Sequence, residues 1–273
     1  MDRKGTLDHL RVKPGSSAGL ASIDPRSTDG APSDKATAEE ASAALNGELA
    51  VLQEKLWAEH RQSLLVVLQA IDAGGKDGAI KKVFGGVNPQ GCRVTSFKQP
   101  SEEERNHDFL WRIHRAVPGA GEIGIFNRSH YEDVLIVRVH ELVPKSVWSK
   151  RYDLINDFEA NLVAANTTVV KFFLHISKDE QAERFRARLE TPSKNWKFNI
   201  ADLDERKHWD EYQQAFEDAL TKTSTKAAPW YVIPADRKWH RDWAVLTVLV
   251  ETLKKMDPKY PESDTDLSKV VVE

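Results

Sequence analysis

Hydrophobic residues follow two spacings along this chain, and segments of the two kinds alternate. Short, nearly continuous runs of apolar and β-branched residues predict strands, whereas apolar residues at every third or fourth position predict the helices between them. The predicted strands cover about residues 64–71, 92–97, 122–126, 167–176 and 230–233. Because strands separated by helices form parallel sheets, the pattern predicts an α/β fold, a three-layer αβα sandwich around a five-stranded parallel sheet.

The helical segments are longer than the strands, and some carry recognisable start signals. They cover about residues 37–61, 76–84, 100–118, 127–142, 146–165, 178–190, 202–222 and 239–256. Thr37 and Glu40 have the spacing of a capping box at the start of the first helix. In the last helix, Trp239 and Trp243 lie on an apolar stripe that we assign to the core.

The periodic segments leave both ends of the chain outside the predicted domain. Residues 1–36 lack periodicity and are rich in Gly, Pro, Ser and Asp. We therefore expect an N-terminal arm that is either disordered or laid along the domain. Residues 37–257 form the expected domain, and residues 258–273 form a polar C-terminal tail.

The turn after the first predicted strand organises the rest of the chain. The apolar run ends at Ala70-Ile71-Asp72 and continues as Ala73-Gly74-Gly75, Lys76 and a helical segment. A buried strand, a glycine-rich turn and a helix N-terminus are the parts of a phosphate-binding loop. In such a loop the backbone N–H groups, the helix dipole and the lysine attract an anion.

This turn departs from the P-loop pattern G-x-x-x-x-G-K-[ST] at two positions. Ala70 replaces the first glycine and lacks its freedom in φ, and Asp77 replaces the final Ser or Thr. The simpler alternative is an ordinary strand-to-helix turn with an exposed lysine, in which Asp72 only forms the turn.

Composition limits the class of protein and its partners. The chain has 273 residues, 40% of them hydrophobic and 30% charged, with a net charge of −3 and a single cysteine, Cys92. No apolar run approaches the ~20 residues of a membrane span, and the N-terminus has no signal-peptide pattern. We therefore expect a cytoplasmic protein with no internal disulfide, no membrane association and no nucleic-acid partner. An anion site has to come from local clustering of the 39 Lys and Arg residues.

Two carboxylates follow predicted strands and so belong at one edge of the sheet. Asp72 follows the first strand, and Asp133 closes the segment after the third strand, beside Glu132. Ligands of such sheets bind at the carboxyl ends of the strands. Mg²⁺ uses one or two protein carboxylates together with phosphate oxygens and water, so Asp72 and Asp133 are candidate metal ligands. A charge at a helix N-terminus is the alternative for Asp133.

A basic cluster lies between the fourth strand and the helix after it. It consists of Arg184, Arg186, Arg188, Lys194 and Lys197. A solvated helix face is the usual explanation of such a run. At this place in P-loop kinases, however, a mobile lid often closes over the phosphates, so we expect a lid at about residues 184–206. Arg128, at the end of the third strand, is placed to clamp a phosphate oxygen.

Five longer stretches resemble the polyphosphate kinase 2 family. They are Ala-Ile-Asp-Ala-Gly-Gly-Lys-Asp-Gly (70–78), Gly-Val-Asn-Pro-Gln-Gly (86–91), His-Asp-Phe-Leu-Trp-Arg (107–112), Gly-Ile-Phe-Asn-Arg-Ser-His-Tyr-Glu-Asp-Val-Leu (124–135) and Pro-Ser-Lys-Asn-Trp-Lys-Phe (192–198). The resemblance spans about residues 10–260, including Ile-Asp-Pro-Arg-Ser-Thr (23–28) in the arm. The version of the motif at 127–133 resembles the subgroup that phosphorylates both AMP and ADP.

The resemblance implies a fold, a reaction and a set of site residues. The implied fold is that of a P-loop kinase of the thymidylate-kinase-like type with a helical lid. The implied reaction moves a terminal phosphoryl group reversibly between inorganic polyphosphate and AMP, ADP or ATP, with Mg²⁺ or alternatively Mn²⁺. The catalytic residues would be Asp72, Lys76, Arg128, Asp133 and Arg188, with Asp72 and Asp133 on the metal. The substrate-binding residues would be Ala73, Gly74, Gly75, Asp77, Gly78, Lys81, Lys82, Asn127, Glu132, Arg184, Lys194 and Lys197. We also expect a homo-oligomer, either a dimer or a tetramer.

Two other functions remain open at this point. One is a P-loop kinase that uses ATP to phosphorylate a nucleotide or another small molecule. The other is a module that binds phosphate or nucleotide without catalysis, against which the intact Lys76, Asp72 and Asp133 argue.

Overall fold

Five parallel strands form one sheet in the computed structural model, which describes residues 9–272. The strands are β1 (Ser63–Gln69), β2 (Cys92–Ser96), β3 (Ile123–Asn127), β4 (Thr167–His175) and β5 (Trp230–Pro234). Their order across the sheet is β2-β3-β1-β4-β5, and every pairing is parallel. The predicted α/β fold class is therefore confirmed.

Two groups of helices flank the sheet. The helices are α1 (Lys35–Glu59), α2 (Lys76–Val83), α3 (Glu102–Arg105), α4 (Trp111–His114), α5 (Ile136–Val139), α6 (Lys145–Trp148), α7 (Arg151–Ala164), α8 (Lys178–Glu190), α9 (Ala201–Glu205), α10 (Trp209–Thr223) and α11 (Lys238–Met256). Helix α11 packs against α1 and α2, whereas α7 and α10 pack against each other. Every residue of β1 is buried, because this strand has a neighbour on each side and helices above and below. None of the helices in residues 9–272 has the length and hydropathy of a bilayer span.

Several predicted helices are broken into shorter pieces. The predicted helix at 100–118 is wrong: α3 ends at Arg105, and α4 begins only at Trp111. Between them, the Asp108 side chain accepts a hydrogen bond from the Leu110 N–H at 2.9 Å, which replaces helical bonding with a turn. The segments predicted at 146–165 and 202–222 are likewise divided, into α6 and α7 and into α9 and α10.

The segment after β3 also differs from the single helix that its apolar spacing predicts. A 3₁₀ helix covers His130–Val134, and the short helix α5 follows. Ser129 caps the 3₁₀ helix through the Tyr131 N–H. Leu142, the last residue of the predicted helix, is 63% exposed.

Helix α1 begins two residues before the predicted capping box. Its N-cap is Asp34, whose Oδ1 accepts the N–H of Thr37 at 2.9 Å. Thr37 is thus the partner of the cap and not the cap itself.

The arm is laid along the domain over the part that the structure describes. Val12 donates its N–H to the Trp230 carbonyl, and Val232 donates to the Leu10 carbonyl, so the arm extends the sheet beyond β5. Leu10, Val12 and Leu20 are buried. Residues 1–8 lie outside the described range.

Cys92 is half-buried, which raises the pKa of its thiol to about 12.

A buried polar network stands behind the segment that follows β3. The Lys171 ammonium donates to Glu159, to the Tyr131 hydroxyl at 2.9 Å and to the Thr223 carbonyl at 2.7 Å. Lys171 is fully buried, and Glu159 is 1% exposed. His130 adds a contact to Glu159 at 3.3 Å. The network ties α7, β4 and α10 to the residues just after β3.

We expect Lys171→Met to lower the free energy of unfolding by about 3–5 kcal/mol, because it leaves the Glu159 carboxylate buried without its cation. The double variant Glu159→Leu/Lys171→Met should recover part of that loss. Urea denaturation followed by circular dichroism measures both. Lys207→Met, which removes a lysine from an exposed pair, is the matched control and should leave the midpoint unchanged. A Lys171→Met protein as stable as wild type would contradict a supporting role for the network.

Candidate active site

The phosphate loop comprises residues 70–75, between β1 and α2. Its backbone is left-handed at Ala73, with φ of 59°, and at Gly75, with φ of 98°. Ala70, the departure from the P-loop pattern, is not among the residues with positive φ, so the turn does not need glycine there. Its methyl group instead packs under Gly74, where an added Cβ would lie 2.4 Å from it. The loop closes with an alanine at position 70 because the conformational freedom is used at Ala73 and Gly75.

Lys76 is the first residue of α2 and reaches back across the loop. Its ammonium donates to the Ala70 carbonyl at 2.9 Å, and the side chain is buried. Burial lowers the pKa of this lysine, and the nearby Arg128 adds to the effect. A bound phosphate would supply the negative charge that this ammonium lacks.

A cavity of about 600 Å³, here called the loop cavity, opens over the phosphate loop. Its basic lining residues are Lys76, Lys98, Arg128, Arg184, Arg188, Lys194, Lys197 and Lys238. Its acidic ones are Asp72, Asp77 and Asp202. Such an excess of cations over the N-terminus of a helix makes a strongly anion-binding surface.

Two ion pairs connect the phosphate loop and α2 to their neighbours. Arg128, at the end of β3, contacts Asp72 at 2.9 Å and has a left-handed φ of 61°. Asn127 donates to the Asp77 carboxylate at 2.8 Å, and the Lys197 ammonium lies 3.6 Å from it. Burial acts against the charge of Asp77, but these two partners outweigh it and lower the pKa of the carboxyl.

The expected lid region forms one wall of the loop cavity. A 3₁₀ helix covers Pro192–Lys197, and α9 follows. Arg188 contacts Asp202 at 3.2 Å, and Asn195 donates to the Arg188 carbonyl at 2.7 Å. Lys194 and Trp196 are exposed, the latter by 78%. The wall therefore presents cations inward and an unburied aromatic ring at its surface.

Arg184 was expected to bind substrate, but its guanidinium is hydrogen-bonded within the protein. Its guanidinium donates to Glu180 at 2.7 Å, to the Ala73 carbonyl at 2.9 Å and to the Ala235 carbonyl at 2.6 Å. All three of its nitrogens are thus engaged by protein, although the side chain borders the loop cavity.

Asp133 does not line the loop cavity but lies on an adjoining one, here called the side cavity. Arg151 contacts Asp133 at 2.8 Å, and both side chains are 14% exposed. Burial raises the pKa of Asp133 to about 6, although Arg151 and Arg112 act in the opposite direction. Asp72 and Asp133 are therefore not brought together as the sequence predicted.

Glu132 also lines the side cavity, which Arg128 shares with the loop cavity. Its charge interacts with Arg128, Lys76 and Asp72, and burial raises its pKa. Its neighbour Asp133 contacts Arg151 instead, because successive residues of a 3₁₀ helix are turned about 120° apart.

The side cavity also measures about 600 Å³ and shares Phe97, Lys98 and Arg128 with the loop cavity. Its further basic residues are Arg105, Arg112, His140 and Arg151, and its apolar wall comprises Ile136, Val137, Leu142 and Val143. One side of this cavity can therefore hold an anion while the other holds an apolar or aromatic group.

The carboxylates of the site are few, but Mg²⁺ needs few protein ligands. Within residues 9–272, no three side chains of Asp, Glu, His or Cys converge as a complete metal cage. Mg²⁺ needs only one or two carboxylates when phosphate oxygens and water complete its shell. Asp72 suits this role, because it borders the loop cavity and its bond to Arg128 uses Oδ1 and leaves Oδ2 available.

Lys81 and Lys82, which the resemblance places among the substrate-binding residues, lie away from the loop cavity. They are exposed in the last turn of α2, whereas the cavity covers the first turn. At 1.5 Å per residue, five or six residues of helix separate them from the loop by roughly 8 Å.

Several residues at the site were not among the predicted ones. Lys98 and Lys238 follow the carboxyl ends of β2 and β5, where the same strand-end rule that selected Asp72 would have found them. Arg112 and Arg151 come from helices that only the tertiary fold brings to the side cavity.

Comparisons with known proteins agree with this geometry. The sequence model of the family described as "Polyphosphate kinase 2 (PPK2)" matches residues 32–261. The chain is 54% identical over 267 residues to a protein of Meiothermus ruber named AMP/ADP-polyphosphate phosphotransferase, covering 98% of this chain and 100% of that protein. It is 51% identical over 227 residues to an ADP-polyphosphate phosphotransferase of Rhodopseudomonas palustris, covering 79% and 78%. A crystal structure of polyphosphate kinase 2 from Arthrobacter aurescens TC1 superposes with a TM-score of 0.92 at 47% identity, covering 96% of this chain and 93% of the other.

The raised pKa of Asp133 predicts how stability depends on pH. The carboxyl keeps its proton up to about pH 6 in the folded chain but loses it near 3.8 when unfolded. The stabilisation that this bound proton gives to the folded chain is therefore fully present below about pH 3.8 and is lost as pH rises through about 6. Between these limits, we expect the unfolding free energy of wild type to fall relative to Asp133→Asn by at most about 3 kcal/mol. Parallel urea titrations at several pH values measure the difference, and a difference that does not change with pH would contradict it.

Proposed function

The chain belongs to the polyphosphate kinase 2 family and is a phosphotransferase, and we propose that it transfers the terminal phosphoryl group of inorganic polyphosphate to AMP and ADP. The observation that carries the proposal is the meeting of two cavities at Arg128 and Lys98. One cavity has eight basic side chains against three acidic ones, and the other combines basic residues with an apolar wall. A donor and an acceptor that each carry phosphate can then meet at the shared residues.

The loop cavity is suited to the polyphosphate donor. It combines eight basic side chains with few apolar ones, namely Ala73, Phe97 and Ala187. A nucleotide donor would need an apolar surface for its base, whereas a polyphosphate needs only an open basic surface with amide donors. This contrast supports polyphosphate over ATP as the donor.

The side cavity is suited to a nucleotide acceptor. Arg112 and Arg151 supply charge for its phosphates, and the wall from Ile136 to Val143 supplies apolar area for a base. The relatives named above are described as acting with AMP and ADP or with ADP, which supports both acceptors for this chain. ATP would then be the product from ADP.

The transfer itself needs positioning and positive charge more than proton chemistry. An oxygen of the acceptor's terminal phosphate attacks the terminal phosphorus of polyphosphate, and the P–O bond to the shortened polyphosphate breaks, so its oxygen takes the electron pair. A terminal phosphate loses its second proton at about pH 6. It is therefore mostly a dianion at neutral pH and needs no general base. The reverse reaction uses the same groups.

Lys76, Arg128 and the N–H groups of the phosphate loop would stabilise the charge on the transferring group. Asp72 would hold Mg²⁺, which supplies a divalent charge to the phosphate oxygens when bound. Arg188, Lys194 and Lys197 would bring cations from the lid side and exclude water when phosphates are bound. Glu132 would orient Arg128, and Asp133 would hold Arg151 in the side cavity. The homo-oligomer stays a prediction.

The first test is an assay with no added ATP. Purified protein, Mg²⁺, polyphosphate and either AMP or ADP should yield ADP and ATP, detected by chromatography. A parallel reaction with ATP and AMP but without polyphosphate separates this function from an ATP-dependent kinase. If polyphosphate yields no product with either AMP or ADP, the proposal is overturned.

Lys76→Met should lower kcat at least ~10²-fold, because it removes a preorganised charge from the reacting phosphate. Lys81→Met removes the same charge from the same helix, outside the loop cavity, and should keep near wild-type rates. Equal losses in the two variants would contradict the placement of the reaction over the first turn of α2. Thermal unfolding of both proteins checks that neither loss comes from misfolding.

A further inference from the structure

Three side chains hold carbonyl groups of the phosphate loop. Gln181 donates to the Asp72 carbonyl at 2.9 Å, and Arg184 donates to the Ala73 carbonyl at 2.9 Å. Arg241 donates to the Gly75 carbonyl at 3.2 Å. The donors come from α8 and α11, the helices that follow β4 and β5.

Fixing these carbonyls also fixes the N–H groups next to them. In a trans peptide, the C=O of one residue and the N–H of the next point in opposite directions, and the described chain has no cis peptide. Holding the carbonyls of Asp72 and Gly75 therefore turns the N–H group of Ala73 away from Gln181 and that of Lys76 away from Arg241. Ala73 and Lys76 line the loop cavity, whereas Gln181 and Arg241 do not.

Arg241 packs closely against glycines of the loop and of α2. A Cβ at Gly75 would lie 2.3 Å from the Arg241 guanidinium, and one at Gly78 would lie 3.4 Å from it. Arg241 is 3% exposed and pairs with Asp242, so its charge is compensated without a ligand. The same side chain thus packs against Gly75 and holds the orientation of the peptide that follows it.

We propose that Arg241 and Gln181 are positioning residues that orient the loop N–H groups toward the transferring phosphate. The proposal rests on the proposed function insofar as it assigns the phosphate loop to phosphoryl transfer. Neither side chain borders the loop cavity, so an effect on turnover has to pass through the residues that it contacts, which are the loop for both and also Arg206 for Gln181. Because ground-state binding of polyphosphate would be spread over several basic side chains of the cavity, misaligned amides should affect kcat more than KM.

The kinetic test compares Arg241→Met, Arg241→Lys and Gln181→Leu with wild type. We expect Arg241→Met and Gln181→Leu to lower kcat by ~10- to 100-fold, with KM for polyphosphate changed less than ~3-fold. Arg241→Lys keeps a donor for the Gly75 carbonyl and should recover part of the loss. Lys255→Met removes an exposed cation from the same helix α11 and is the control for charge alone. A rise in KM at unchanged kcat would overturn the positioning role.

A second measurement does not depend on the reaction. Hydrogen exchange of the peptide covering residues 70–78, without substrate, should become at least ~10-fold faster in Arg241→Met and Gln181→Leu, while β4 keeps its protection. Unchanged exchange in the loop would overturn the inference even if activity falls. Faster exchange in a protein whose wild type is inactive with polyphosphate would support the inference and overturn the proposed function. Should Arg241→Met fail to fold, Gln181→Leu carries the same test.

Discussion

The parallel pairing of β1 with β3 is the constraint on which the site depends. Leu68 of β1 is in register with Asn127 of β3, and the Arg128 N–H donates to the Leu68 carbonyl at 3.1 Å. This pairing ends both strands at the same level, so the turns that follow them open at one edge of the sheet. The Asp72–Arg128 contact and the Asn127–Asp77 bond both follow from that register. A shift of one residue would turn Asn127 into the opposite layer.

The buried network behind β3 extends this constraint to the second cavity. Tyr131 is held by Lys171 and Glu159 on the core side, so the residues after it have to leave the core. Glu132 and Asp133 both line the side cavity, where the charge of Glu132 interacts with Arg128 and Lys76 and Asp133 contacts Arg151. One short 3₁₀ helix therefore supplies two adjacent carboxylates, one acting on the charges around the phosphate loop and the other on the basic residues of the side cavity.

The sequence predicted the sheet, the phosphate loop and the basic wall because local patterns determine them. Buried strands, the Ala-Gly-Gly turn and the cluster from Arg184 to Lys197 are each visible within a few residues. The helices after β2 and β3 could not be delimited, because a single side chain such as Asp108 redirects the backbone where apolar spacing continues. The roles of Gln181 and Arg241 depend on contacts between residues more than 100 positions apart, which no local pattern contains.

The two departures from the P-loop pattern have separate physical explanations. Ala70 is tolerated because the left-handed backbone occurs at Ala73 and Gly75, and the Ala70 carbonyl is needed only as an acceptor for Lys76. Asp77 cannot offer the hydroxyl that a Ser or Thr gives to Mg²⁺ in the usual pattern, and its carboxylate instead joins α2 to β3 and to the lid side. We therefore propose that a carboxylate inside the turn would hold the metal in its place. Asp72, which precedes the helix and borders the loop cavity, is the residue in the position to do so.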